Sequence, residues 1–177
     1  MALKATICKA EINIADIDRG YYADHLLTLA QHPSENNERL MLRLLAFVLH
    51  AHEDLVFSKG LSDPDEPDIW QKDLTGTIDL WIDLGQPDEK RVLKACGRSR
   101  QVVVASYGNA VPIWWEGIAP KLVRASNLAV QRLMVEGDMP LADFVQKNMK
   151  LQCTVQDGQL WLSDDVRSAQ INVLVLR

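Results

Sequence analysis

The sequence predicts a mixed α/β fold: a single compact domain over residues 1–177, with a mixed parallel and antiparallel sheet and flanking helices. Three observations carry this expectation. Strand-like alternation opens and closes the chain, with turn chemistry that makes hairpins at both ends. Between the ends, β-favouring runs alternate with stretches of helical period, the pattern of parallel strands joined by crossovers. A length of 177 residues with 47% hydrophobic and 24% charged residues suits an ordinary globular core.

Residues 2–14 alternate as a strand, Asp16-Ile17-Asp18-Arg19-Gly20 supplies a turn, and residues 22–31 return as a second strand. His32-Pro33-Ser34 breaks the pattern. Ser34 is placed to cap a helix running to about His50, with Glu35 and Glu38 in the first turn, where the helix dipole favours acids. Leu40, Met41, Leu44, Leu45, Val48 and Leu49 form its apolar stripe. A short strand at 55–58 precedes an acidic, Pro-rich loop at 62–73, given one helical turn around Ile69 and Trp70. The central strand follows, with Ile78, Leu80, Ile82 and Leu84 alternating with Asp79, Trp81 and Asp83 so that one face is apolar. Pro87 suits the first position of a helix to Arg98, with Asp88 and Glu89 in its first turn.

Residues 101–107 read as a strand, Gly108-Asn109 as a turn, 110–117 as a helix bearing Trp114 and Trp115, and 127–134 as a strand. Residues 101–134 thus make a βαβ unit. A short helix at 140–147, a hairpin of 151–156 with 159–163 across Asp157-Gly158, and a buried strand at 171–176 complete the chain.

Composition excludes several functions. No apolar run approaches the ~20 residues that span a bilayer, and no secretory signal pattern opens the chain, so a cytoplasmic protein without a membrane partner is expected. Cys8, Cys96 and Cys153 lie far apart with no Cys-x-x-Cys pair, as expected of reduced, packing cysteines. A charge of −5 opposes general nucleic-acid binding but permits a local basic groove. There is no P-loop, no dinucleotide fingerprint and no nucleophile elbow. His25, His32, His50 and His52 lack metal-ligand spacing on a helix face.

The chemistry centres on residues 76–95. Asp79 and Asp83 share a strand face but sit four residues, about 13 Å, apart, too far to grip one small cation by themselves. Trp81 between them needs something to pack on. Glu38 falls inside the apolar arc of its helix and there requires a partner, a metal or a proton. Lys90 and Lys94, spaced i, i+4, follow the acid-bearing strand, with Arg91 and Arg98 on an adjacent stripe. Acids that hold Mg²⁺ and a lysine that orients phosphate are the parts of a metal-dependent phosphodiesterase. A solvated basic helix face is the ordinary alternative.

Several segments also carry a family resemblance: Leu-Thr-Leu-Ala-Gln-His-Pro-Ser-Glu at 27–35, Glu-Arg-Leu-Met-Leu-Arg-Leu-Leu-Ala at 38–46, Ile-Asp-Leu-Trp-Ile-Asp-Leu-Gly-Gln-Pro-Asp-Glu-Lys-Arg at 78–91 and Leu-Trp-Leu-Ser-Asp-Asp at 160–165. With Met-Ala-Leu-Lys-Ala-Thr-Ile at the start, they resemble the YaeQ family over essentially the full length. That family is similar in fold to the PD-(D/E)XK nucleases, implying a restriction-endonuclease-like core. The resemblance implies that Glu38 is the helix acid, Asp79 the strand acid and Asp83 the motif acid of a Mg²⁺ site. The motif lysine after Asp83 is Gly85, so Lys94 or Lys90 would substitute and Gln86 would add a polar contact. Pro67-Asp68 spells the motif's first pair, yet its place in the acidic loop ranks it below Asp79. Two functions follow: a Mg²⁺-dependent nucleic-acid phosphodiesterase, or a non-catalytic adaptor binding nucleic acid or protein on a degenerate nuclease scaffold.

Overall fold

The structure, a computed structural model, describes residues 4–59, 61 and 63–177; Ala2 and Leu3 of the expected first strand and Ser62 of the acidic loop lie outside them. The fold is mixed α/β, with strands paired both parallel and antiparallel and helices flanking them. Contacts divide the chain into two compact units: the residues up to His50 with Val135–Val173, and Ala51–Met134 with Leu174–Arg177.

In the first unit β1 (Thr6–Asp16) and β2 (Tyr21–Gln31) form the opening hairpin, in unbroken register from Thr6 opposite Gln31 to Asp16 opposite Tyr21. The other side of β1 pairs parallel with β8 (Asn148–Gln156), which continues antiparallel into β9 (Gln159–Ser163) and then β10 (Ser168–Val175). The Asp157-Gly158 turn has φ of +53° and +72°, the left-handed pair that a two-residue hairpin needs, and Asp18 accepts the Asp157 N–H at 2.8 Å. Along β1, Cys8, Ala10, Ile12, Ile14 and Asp16 are buried and their neighbours face out, as period-two geometry demands.

Helix α1 (Asn37–Leu49) buries every residue from Leu40 to Val48, Arg43 included. Its cap is Asn36, whose Oδ1 accepts the Arg39 N–H at 2.8 Å, and not the expected Ser34. The reason is the turn before it: Glu35 N–H donates to His32 O, and the Ser34 hydroxyl is engaged by His32 Nδ1. The helix therefore starts later and leaves Glu35 outside it. The expected helix at 140–147 is a 3₁₀ turn, Leu141–Phe144, which buries Leu141 and Phe144 before the chain enters β8.

In the second unit the strand order is β7 (Leu128–Glu136), β6 (Ser99–Tyr107), β5 (Ile78–Leu84), β4 (Ile69–Lys72), β3 (Leu55–Phe57). Strands β5, β6 and β7 run parallel, joined by α2 (Glu89–Arg98) and α3 (Val111–Ile118), so the expected βαβ unit is present. β3 and β4 add an antiparallel edge. Ile69 and Trp70 are thus strand, not the expected helical turn. Pairing with β5 sets Trp70 against Trp81, edge-on at 6.2 Å, and such cross-strand aromatic pairs favour a ladder. β5 itself is covered on both faces: Trp81 and Asp83 are as buried as Ile82. Among the described residues no helix is long and apolar enough to cross a membrane.

Two predictions arise from this packing. Burial pushes the Cys8 and Cys153 thiols above the ordinary thiol range, so neither ionises near neutrality. Both should react with a chromogenic disulfide reagent only as fast as the protein unfolds, while half-buried Cys96 reacts first. His25 packs edge-on to Phe47 and shares a 2.7 Å hydrogen bond with Tyr21 Oη; loss of solvent lowers its pKa, with Asp24 opposing. The unfolded chain then takes up that proton more readily than the folded one. Stability should fall as pH drops below about 6.5, and denaturant titrations of His25→Gln should show a weaker dependence there.

Candidate functional site

Residues i and i+2 of a strand share a face, so β5 presents Asp79, Trp81 and Asp83 together. The N-cap Asp88 accepts the Arg91 N–H at 2.8 Å, starting α2 directly after β5. This brings Arg91 back over the end of the strand. Its Nε and Nη2 donate to Asp83 Oδ2 and Oδ1, both at 2.9 Å, a bidentate pair. The same guanidinium donates to Pro64 O and Glu66 O at 2.8 Å. Lys94 pairs with Asp65, and Arg98 donates to Asp65 O at 2.8 Å while its guanidinium lies 5.2 Å from the Trp81 ring centre. The stripe of α2 that carries Arg91, Lys94 and Arg98 holds the acidic loop 63–68, and the Arg98 cation is what Trp81 packs beneath.

Asp83 is 2% exposed. Loss of solvent pushes its carboxyl above the usual carboxylate range, the Arg91 hydrogen bonds pull it down, and the Asp68 charge pushes it further up. Arg91 in turn holds its proton more tightly because Asp83 accepts from it. Asp68 is also buried and accepts the Leu84 N–H at 2.8 Å; the β4–β5 register, Ile69 opposite Ile82, sets it beside Asp83. Lys94 holds the Asp65 carboxyl below the ordinary range.

The residues expected at the site are distributed as follows. Asp83 is in the arginine clamp, and Asp79, half-buried at the other end of β5, accepts from Arg100 Nη1 at 2.7 Å. Lys94 is on Asp65, Lys90 is exposed, and exposed Gln86 donates to Tyr107 O at 2.8 Å. Glu38 belongs to the other unit and is exposed, not set into the apolar arc. The acid buried beside α1 is Glu35, which pairs with Arg43 (3.0 Å) and Arg39 (2.8 Å) because the late helix start tucks it under the first turns. The donor set does not fit the expected Mg²⁺ site: both strand acids are bonded to arginines at opposite ends of β5. Among the described residues no three His, Cys, Asp or Glu side chains converge to hold a metal.

Three residues have larger roles in the structure than the sequence assigns them, Asp68 and Arg91 at the site and Glu35 in the other unit. The acidic loop ranks Asp68 below Asp79, although the literal Pro67-Asp68 before the β-favouring Ile69-Trp70 is the available signal. Sequence alone makes Arg91 part of a basic stripe; its position three residues after the N-cap Asp88 is the clue to its direction. Glu35 had no signal beyond its place after Pro33.

A family model described as YaeQ protein matches residues 1–173. The YaeQ protein of Escherichia coli (strain K12) is 47% identical over 174 residues, covering 98% of this chain and 96% of that protein; its counterpart in Salmonella typhi shows the same identity and coverage. The crystal structure of YaeQ protein from Xanthomonas axonopodis pv. citri is similar with a TM-score of 0.94 at 50% identity, covering 98% of both chains. That from Pseudomonas syringae gives 0.89 at 30% identity, covering 98% of this chain and 96% of the other. With its sequence matched nearly end to end by the family model, the chain belongs to the YaeQ family.

Proposed function

We propose that the chain is a non-catalytic, protein-binding adaptor built on a degenerate scaffold of the PD-(D/E)XK nuclease type. The observation that carries this reading is the Arg91 clamp, which takes both carboxylate oxygens of Asp83. On such a scaffold, Pro67-Asp68 on the β4 side and Asp83-Leu84-Gly85 at the end of β5 would stand for the two nuclease motifs, and the β4–β5 register that sets Asp68 beside Asp83 supports that reading. The motif lysine falls at Gly85, whose φ of +93° is a conformation that a lysine adopts only at a cost in strain. Arg91 supplies a fixed positive charge where a nuclease would carry a cation. The substitute lysine, Lys94, is engaged by Asp65. With the basic stripe of α2 turned to the loop and a net charge of −5, a protein partner suits the chain better than nucleic acid.

One observation favours the phosphodiesterase reading: Asp68 and Asp83 are neighbouring buried carboxylates, the start of a Mg²⁺ site if Arg91 swings away. Incubation of labelled single- and double-stranded DNA and RNA with the protein in Mg²⁺ or Mn²⁺ tests the choice. The adaptor reading expects no cleavage by the wild type. Cleavage that Asp83→Asn abolishes would establish the phosphodiesterase.

A further inference from the structure

The outer face of the first unit's sheet carries three adjoining clefts that meet at Lys150. The largest, about 700 Å³, lies over β2, β1 and β8 and is bounded by Ser163, Asp164 and Asp165. Two others, each about 260 Å³, extend it past Lys9 and Thr28 in one direction and past Phe144 and Arg167 in the other. The strand registers order the outward side chains into three rows: Thr28–Lys9–Asn148, Leu26–Glu11–Lys150 and Asp24–Asn13–Gln152. The rows span about 13 Å along the strands and two strand spacings, about 10 Å, across them. Parallel strand pairs ordinarily have both faces covered, yet this face of β1 and β8 is open.

The chemistry of the main cleft selects its occupant. Four carboxylates line it, Glu11, Asp24, Asp164 and Asp165, against one cation, Lys150. Arg167 already pairs with Asp164, and Asp24 accepts only a neutral amide hydrogen from Asn13 at 2.7 Å. Beside Glu11 and two residues from Asp24 stands Leu26, 81% exposed in the middle of a polar array. An isolated leucine flanked by carboxylates matches a long cationic side chain, whose methylene stem lies on the apolar surface while its charged head reaches the acids.

We infer that this groove binds an extended peptide segment of a partner protein, with a lysine or arginine of that segment lying on Leu26 and bonding to Glu11 and Asp24. Lys150 faces the peptide's carbonyls or an acidic residue one step along. This rests on the reading of the chain as a binding protein and names its site, but it is independent of Asp83, which lies in the other unit.

The test uses the full chain and a fluorescein-labelled ten-residue peptide of alternating Lys and Thr, with the Glu/Thr peptide and a dT₁₀ oligonucleotide as comparisons. Anisotropy should rise saturably with the Lys peptide alone. Glu11→Gln combined with Asp24→Asn should weaken binding about tenfold, and Leu26→Ser should weaken it several-fold. Glu116→Gln combined with Asp138→Asn, the same change in net charge on exposed residues elsewhere, should leave it unchanged. Amide NMR shifts on titration should concentrate at β1, β2 and β8. Equal binding of the Glu peptide or of dT₁₀, no binding of the Lys peptide, or equal loss in both double variants would overturn the inference. Peptide binding by a protein that also cleaves nucleic acid would instead keep the groove and remove the non-catalytic reading.

Discussion

Arg91→Ala should destabilise the protein by about 3 kcal/mol near neutral pH, because it strands a buried charge. Asp83, 2% exposed beneath the guanidinium, loses two hydrogen bonds, while Pro64 O and Glu66 O lose a donor each. The guanidinium is itself about one-third exposed, so water reaching the vacated space places the loss at the lower end of the range for broken buried pairs. Without the guanidinium the Asp83 pKa rises further. A folded-state pKa above the unfolded value means that the folded form holds the proton more tightly, so the penalty should shrink toward pH 4 and grow as pH rises. Denaturant unfolding at several pH values reads both the size and the sign. Asp83→Asn should cost less than Arg91→Ala, since the freed arginine has a path to solvent and the buried carboxylate does not.

Arg43→Ala should cost as much or more, about 3 to 5 kcal/mol. Arg43 is 3% exposed and donates to both oxygens of Glu35 and to Ala30 O, joining α1, the loop before it and β2. Its removal leaves Glu35 buried with only Arg39, an unsatisfied carbonyl on β2, and a cavity in a helix buried on all sides. The double variant Glu35→Leu with Arg43→Met should recover a large part of that loss, because an apolar pair of similar volume needs no desolvation of charge. Equal instability of the single and double variants would show that the cost lies in the Ala30 carbonyl or in packing rather than in the uncompensated acid.

The two ion pairs also mark what was legible in the sequence. Period-two alternation locates β1 and β5, turn chemistry locates β2, a β-favouring run locates β6, and the Asp157-Gly158 turn fixes the last hairpin, because these signals are local. The parallel seam between β1 and β8 was not legible: it joins segments more than a hundred residues apart, and nothing local records their register. Ile69 and Trp70 are strand because Ile82 and Trp81 lie across from them on the next strand, a pairing their own composition does not record. At the site, Asp83 and Lys94 are legible in the sequence as candidates, but their partners, Arg91 and Asp65, are not. Loop 63–68 looked solvated from its composition, whereas its carbonyls and Asp65 are bonded to Arg91, Lys94 and Arg98. Helical phase sets Glu38 within the arc of Leu42, Leu45 and Leu49, but phase alone does not say how much of the first turn is covered. With the cap at Asn36 Glu38 sits exposed in the first turn, and Glu35 takes the buried place.

The clamp on Asp83 is the centre of this account, and calorimetric titration of Mn²⁺ into the wild type, Arg91→Ala and Asp83→Asn probes it directly. Arg91 and a divalent cation compete for the same carboxylate oxygens, so the wild type should give no saturable heat at millimolar metal. Stoichiometric binding by the wild type, lost in Asp83→Asn, would contradict the clamp and return the chain to the metal-dependent nucleases.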